Sequence, residues 1–72
     1  MEPVARLGKN VRALRLDRGW TQEDLAHEAG LAPVQVSRIE RGAREIRITT
    51  LLRLIDALRT TPDRILEGLY EA

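Results

Sequence analysis

Cysteine and phenylalanine are absent from the 72-residue sequence, and Trp, Tyr and His each occur once. Without cysteine, no disulfide can reinforce a fold this small, and no thiolate can act as a nucleophile or a zinc ligand. Long apolar runs are also missing, since none approaches the roughly 20 residues that a membrane-spanning helix requires. No secretory signal is evident. We therefore expect a cytoplasmic protein that does not associate with membranes.

Side chains that would support catalysis are equally scarce. The single histidine, His27, is expected to be solvated, and Ser37 has no base near it in the sequence. No metal triad and no carboxylate pair is apparent. The sequence therefore predicts no enzyme activity, no cofactor and no small-molecule ligand. The five glycines are spaced as helix ends and turns, which argues against a phosphate-binding loop: Gly8, Gly19, Gly30, Gly42 and Gly68.

The residues that are abundant favour helices. Eleven Leu and eight Ala outnumber five Ile and four Val, a balance that favours helix over sheet. Apolar periodicity and helix-end signals predict an all-α chain of five helices in one domain spanning residues 1–72. The predicted helices run from about Val4 to Arg18, from Thr21 to Gly30, from Pro33 to Gly42, from Arg47–Thr50 to Leu58–Arg59, and from Thr61 to Gly68 or Tyr70.

Positive charge is concentrated in two parts of the chain, although the net charge is only +1. Residues 1–22 and 37–59 each carry +3, whereas residues 23–36 carry −3 and the last 13 residues carry −2. Eleven of the twelve basic residues are Arg, whose planar guanidinium suits phosphates and guanine edges. A solvated surface of paired charges is the alternative, so the position of each Arg on its helix has to decide.

Residues 22–41 have the pattern of a helix-turn-helix. Small Ala26 allows two helices to approach closely, and Gly30 supplies the turn between them. The second helix has an inward apolar edge and an outward edge that carries two Arg, which suits entry into a DNA major groove. Leu31, Val36 and Ile39 fill the angle between the helices, and the outward edge consists of Val34, Ser37, Arg38 and Arg41.

The segment WTQEDLAHEAGLAPVQVSRIERG resembles the helix-turn-helix family of phage repressors and Cro, also called the XRE family. The following TTLLRLIDALRTTPDRIL is similar to the fourth and fifth helices of that family. Within it, RGAREIRITTLLRLIDAL is most similar to the controller proteins of restriction-modification systems. The resemblance implies a compact five-helix bundle of the phage-repressor type and a transcriptional regulator that binds double-stranded DNA.

The resemblance also implies which residues meet the bases. The N-terminal end of the second helix of the motif reads base edges in this family, which assigns Pro33, Val34 and Gln35 to base contacts. Gln35 can form a bidentate pair with adenine, and Val34 can contact a thymine methyl group. Arg38, one turn later, is expected to read guanine. Ala32 stands where the family usually has a Ser or Thr cap, and Pro33 and Val34 replace residues that are often polar. Fewer direct hydrogen bonds to bases are therefore available, and the sequence does not indicate the operator.

A second group of residues is expected to contact phosphates. Gln22 matches the family's Gln beside the DNA backbone, and Thr21 can add its hydroxyl, although capping its own helix is the stronger expectation. Arg12 is a weaker candidate on the first helix. The second helix of the motif is called the recognition helix. The remaining phosphate candidates lie on or after it: Ser37, Arg41, Arg44 and Arg47.

Two charged residues fall on apolar helix stripes. Glu40 shares one face of its helix with Val36 and Ile39, and Arg15 lies beside Val11 on the first helix. A lone charge at either position would be costly, so the two are expected to pair and to hold the recognition helix in place. Relatives similar to this chain carry such a bridge.

The last two helices carry more apolar residues than a small core requires. The stripe on the fourth helix spans about 160°. The surplus predicts a homodimer that binds a two-fold symmetric operator, with RNA polymerase as a further partner, although a wide core with a few exposed Leu is the alternative. The expected dimer region covers about residues 47–70, with contacts from Leu52, Ile55, Ile65, Leu66, Leu69 and Tyr70.

A protein-interaction module is the rival function. An antitoxin could use the same fold to bind a toxin through the apolar surplus and the acidic C-terminal segment. A purely protein-binding role would not require the Arg residues at positions 38, 41, 44 and 47. The arginines therefore favour DNA binding, and the two functions are compatible in one protein.

Overall fold

Five helices account for the regular structure of the computed structural model, which describes residues 2–70. They are α1 (Pro3–Asp17), α2 (Gln22–Ala29), α3 (Pro33–Glu40), α4 (Ile48–Leu58) and α5 (Pro62–Ile65). No strand occurs in this range, and none of its helices combines the length and apolar character needed to cross a membrane. The predicted all-α class and the number of helices are confirmed. Met1, Glu71 and Ala72 of the predicted domain lie outside the described residues.

α2 and α5 begin with threonine caps at the positions where the sequence predicts these helices to start. The Thr21 hydroxyl accepts a hydrogen bond from the Asp24 backbone N–H at 3.0 Å, and Asp24 Oδ2 accepts from the Thr21 N–H at 2.9 Å. This reciprocal pair is a capping box with Asp in the third position. Thr61 likewise accepts from the Arg64 N–H at 3.3 Å. These local signals are strong enough to set where α2 and α5 begin.

The end of α5 differs from the prediction. The helix stops at Ile65, and the chain continues through turns to Tyr70. Gly68 has φ +81°, a left-handed conformation that no helix contains. The backbone carbonyls of Ile65 and Glu67 accept hydrogen bonds from the Asn10 side chain on α1 rather than from the next helical turn. A tertiary contact therefore replaces the last predicted turn of the helix.

One core lies between the helices. All five helices contribute buried side chains to it, and the contribution of α5 is Ile65. Trp20 is half-buried and packs against the core. The largest of the fully buried side chains are Leu25, Leu54, Ile65, Val11 and Val36.

Gly8 does not mark a helix end or turn, contrary to the prediction, but lies inside α1. It is buried against the C-terminal end of α3, where a Cβ would lie 2.6 Å from the Glu40 carbonyl oxygen. Gly42, just after α3, makes a second close contact with α1, where a Cβ on this glycine would lie 2.7 Å from the Ala5 Cα. Both glycines allow the two backbones to approach more closely than any side chain would permit.

Gly8→Ala is expected to lower the free energy of unfolding by about 1–3 kcal/mol, because the added methyl overlaps backbone carbonyls that cannot move aside. The clash outweighs the roughly 1 kcal/mol that Ala gains over Gly in helix propensity. Denaturant titration measures the change. Ala13→Gly, at an exposed position of the same helix, reports the propensity effect alone. A Gly8→Ala variant more stable than the parent protein would contradict the close contact.

Candidate nucleic-acid interface

The helix-turn-helix consists of α2, the turn 30–32 and α3. Gly30 has φ +70°, and the Leu31 N–H donates to the Ala26 carbonyl at 2.9 Å, which closes the end of α2. Ala26 is 1 % exposed, so the small side chain predicted at the helix crossing is in place. On α3 itself, Val36 is fully buried and Ile39 is half-buried. The inward edge of α3 therefore matches the prediction.

The opposite edge of α3 faces solvent. Pro33, Gln35, Arg38 and Arg41 are exposed, and Val34 is 51 % exposed. Ser37 is half-buried. All the residues predicted to meet bases are thus accessible to solvent, with Arg38 one turn beyond the N-terminal three.

A groove of about 510 Å³ runs beside this edge, between α3, the loop that follows it and α4. One acidic residue, Glu45, lines the groove. Four arginines also line it: Arg38, Arg44, Arg47 and Arg53. Three of them were predicted as DNA contacts. Arg53 was not, because its position on the polar side of α4 did not reveal that this side faces the recognition helix. The groove has the charge and the open shape that a phosphate backbone requires.

The Gln35 side chain is engaged in its own helix. Its Oε1 accepts a hydrogen bond from the Ala32 N–H at 2.8 Å and so caps α3 from within. Ala32 has no side-chain acceptor of its own, which leaves this half of a capping box as the side-chain contribution to the helix start. The Gln35 amide nitrogen remains available to a base, while a bidentate contact would require the cap to open.

The predicted phosphate contacts occupy several places. Thr21 serves as the α2 cap, and Arg41 donates from Nε to the Ser37 carbonyl at 3.3 Å. Arg12 is exposed on α1 and does not line the groove. Gln22 points inward, where Nε2 donates to Glu40 Oε1 at 3.1 Å. The structure thus gathers Arg44 and Arg47 in the groove and leaves the other candidates outside it.

Arg15 and Glu40 form the buried pair that the sequence predicts. Arg15 Nε donates to Glu40 Oε2 at 2.6 Å and Nη2 donates to Oε1 at 2.9 Å, a bidentate contact between α1 and α3. A third donor of the same guanidinium, Nη1, reaches the Trp20 carbonyl at 2.7 Å. The hydrogen bonds that Arg15 donates to Glu40 raise the pKa of Arg15 above its ordinary value, so the guanidinium stays charged. With the Gln22 amide added, α1, α2 and α3 meet at one carboxylate.

The residues predicted at a dimer surface divide into three groups. Leu52 is 52 % exposed and Tyr70 is 99 % exposed, whereas Ile55, Leu66 and Leu69 are half-buried. Ile65 is wrong for this role, because its side chain is 0 % exposed and belongs to the core of the protomer. Sequence reasoning missed Ile48, which is 67 % exposed and lies one turn before Leu52 on the same side of α4. Its i, i+4 spacing to Leu52 was the available signal.

A paired α2–turn–α3 unit with an exposed, arginine-bearing second helix defines a helix-turn-helix protein. The profile of the Helix-turn-helix family matches residues 11–65, and the chain belongs to this family. The predicted family resemblance is confirmed.

Controller proteins of restriction-modification systems are among its relatives. The chain is 35 % identical over 60 residues to the control protein C.SmaI of Serratia marcescens, covering 83 % of this chain and 71 % of that protein. The crystal structure of the controller protein C.AhdI from Aeromonas hydrophila superposes with a TM-score of 0.83 at 34 % identity, covering 86 % of this chain and 94 % of that one.

A further structure is of the controller protein C.Esp1396I as a tetramer in complex with its natural 35 base-pair operator. It matches with a TM-score of 0.81 and 30 % identity, covering 92 % of this chain and 87 % of that one. Other relatives are longer: the chain spans about half (49 %) of a hypothetical transcription factor from Neisseria meningitidis.

Glu40→Ala is expected to lower the free energy of unfolding by about 3–5 kcal/mol, because it leaves the Arg15 guanidinium buried without its partner. Denaturant titration, monitored by the far-ultraviolet circular dichroism signal of the helices, measures the loss. Glu45→Ala is the matched control, since Glu45 is exposed at the groove and its removal buries no charge. An unchanged midpoint for Glu40→Ala would show that the pair does not hold the fold.

Proposed function

We propose that the protein is a sequence-specific regulator of transcription that binds double-stranded DNA as a homodimer. The observation that carries this proposal is the exposed edge of α3 beside a groove lined by four arginines. An exposed helix edge of this kind fits the major groove, and guanidinium groups suit both phosphates and guanine edges. The C.Esp1396I tetramer on its operator shows that a relative of this fold binds DNA as an oligomer.

The division of labour follows from position. Pro33, Val34 and Gln35 meet base edges at the N-terminal end of α3, and Arg38 reads a guanine one turn later. The phosphate contacts come from Ser37 and from the arginines at positions 12, 41, 44 and 47. Arg53 joins this second group because it lines the same groove. Thr21 and Gln22 contribute through the backbone N–H groups at the start of α2, because their side chains make internal hydrogen bonds.

A dimer fits the apolar side chains that the protomer leaves uncovered. Ile48, Leu52 and Tyr70 are each more than half exposed, and a second copy could cover them. A two-fold dimer places two recognition helices about 34 Å apart, one turn of DNA, and therefore selects an inverted repeat. Control in the manner of restriction-modification regulators, by concentration at the protein's own promoter and with contacts to RNA polymerase, is part of the proposal. The regulator acts in the cytoplasm and without catalysis.

Selection of bound sequences from a random duplex pool at about 0.15 M salt tests the function. An enriched inverted repeat supports specific dimeric recognition and supplies the operator. Binding that is only salt-sensitive, with no enriched sequence, contradicts it. That second outcome would favour the rival function, a module that binds a protein such as a toxin through the exposed apolar residues of α4.

Arg38→Ala is expected to weaken operator binding by about 1–3 kcal/mol and to relax the preference at one base pair, because a guanidinium that pairs with guanine is lost. Arg44→Ala is expected to weaken binding to all sequences alike and to lower the dependence of affinity on salt, because a phosphate contact is lost.

Affinity measurements on the operator and on point-substituted duplexes, over a range of salt concentrations, separate the two effects. Lys9→Ala, at an exposed position of α1 outside the groove, controls for loss of one positive charge. The same uniform loss in both arginine variants would overturn the assignment of Arg38 to a base.

Leu52→Lys is expected to shift the protein from dimer to monomer and to abolish binding to the inverted repeat, because a charge replaces an apolar side chain at the contact. Leu16→Lys is the matched control: Leu16 is 50 % exposed, nearly the same as Leu52, but lies on α1. Sedimentation equilibrium at tens of micromolar protein measures both. A parent protein that is monomeric under these conditions would contradict the dimer.

A further inference from the structure

Two side chains of α1 hold the segment that follows α5. Asn10 Nδ2 donates to the Ile65 carbonyl at 2.9 Å and to the Glu67 carbonyl at 2.8 Å. Arg6, one turn earlier on α1, donates from Nε to the same Glu67 carbonyl at 3.4 Å. These contacts join residues that are 55 to 61 positions apart in the sequence.

The other contacts of this segment are the hydrogen bonds within its own turns and the packing of Leu66 and Leu69 against the core. α5 is a single turn of four residues, and the backbone leaves it through the left-handed Gly68. The Arg6 guanidinium lies against Gly68, where a Cβ would come within 2.6 Å of its Nε. The residues directed by this turn are apolar: Leu66 and Leu69 are half-buried and Tyr70 is almost fully exposed.

α1 also contacts the recognition helix α3. Gly8 lies between Arg6 and Asn10 in the sequence and allows α1 to approach the last carbonyls of α3. Arg15, further along α1, makes the bidentate pair with Glu40. α1 is thus in direct contact with both the recognition helix and the apolar turn, and it fixes one relative to the other.

We propose that Asn10 is a positioning residue that sets the direction of the apolar segment Leu66–Tyr70 relative to α3, and thereby the half-site spacing that the dimer accepts. This inference rests on the proposed function, because it requires a dimer and a two-part operator. The distance between two recognition helices depends on the angle at which the protomers meet. A dimer contact on a turn that is free to rotate would therefore accept a range of spacings, whereas a held turn accepts one.

Asn10→Asp tests the proposal, because Asp has nearly the same shape but offers no donor and turns a carboxylate toward two carbonyls. Three quantities are measured: the dimer dissociation constant, the affinity for a duplex with one half-site, and the affinity for the selected inverted repeat with its spacer lengthened or shortened by one and two base pairs. Loss of two hydrogen bonds is expected to raise the dimer dissociation constant about tenfold. Half-site affinity is expected to stay within about twofold, and the preference for one spacer is expected to broaden.

Thr61→Ala is the control for general loosening of α5. It removes the cap at the start of α5 and leaves both Asn10 contacts in place. Arg6→Ala removes the longer bond to Glu67 together with the guanidinium that lies against Gly68, leaves both Asn10 bonds in place, and is expected to give a smaller shift in the same direction. It also keeps the proposal open to test should the aspartate variant unfold.

A dimer constant and a spacer preference unchanged in both Asn10→Asp and Arg6→Ala would overturn the inference. Equal losses on half-site and full operator would also overturn it, because they indicate damage to the whole fold. A parent protein that selects no inverted repeat would instead refute the proposed function itself, and with it the inference. The two failures are therefore distinguishable.

Discussion

The carboxylate of Glu40 is the point on which the arrangement of the first three helices depends. It lies on the buried edge of α3, 9 % exposed, and receives hydrogen bonds from α1 through Arg15 and from α2 through Gln22. A charge in the interior is tolerated only when it is paired and its oxygens are hydrogen-bonded. Since both requirements are met from different helices, any displacement of α3 would break the set. The Arg15–Glu40 pair therefore specifies one orientation of α3 relative to α1 and α2.

The close backbone contact at Gly8 works together with this pair. It brings α1 against the end of α3, and the absence of side chains there makes the approach shorter than van der Waals contact between methyl groups would allow. On the opposite side of α3, arginines converge on a groove whose shape is set by the loop and by α4. The interior contacts and the surface charge are thus two faces of the same helix. α3 is held on one side and presented on the other.

Much of the fold could be predicted from the sequence because its signals are local. The Thr21 and Thr61 caps, the turn at Gly30 and the periodic apolar residues depend on neighbours within a few positions. The Arg15–Glu40 pair was also predictable, since each charge interrupts an apolar stripe and the cost of burial leaves pairing as the economical solution. The errors arose where distant parts of the chain meet. The sequence predicts a helix end or turn at Gly8 and a fifth helix that extends beyond Ile65, and the structure shows both predictions to be wrong.

The candidate site divides in the same way. The exposed residues of α3 follow from its periodicity, whereas Arg53 enters the groove only because α4 packs beside α3. Ile65 was assigned to a dimer surface, but the docking of α5 buries it completely.

The starts of the helices, the apolar edge of each helix and the need for two charges to pair follow from the amino-acid sequence. The exposure of the remaining apolar residues, the set of arginines in the groove and the end of α5 follow from the way the helices pack. The reason is that caps, turns and periodicity act over one or two helical turns, whereas burial and charge convergence depend on helices that lie tens of residues apart.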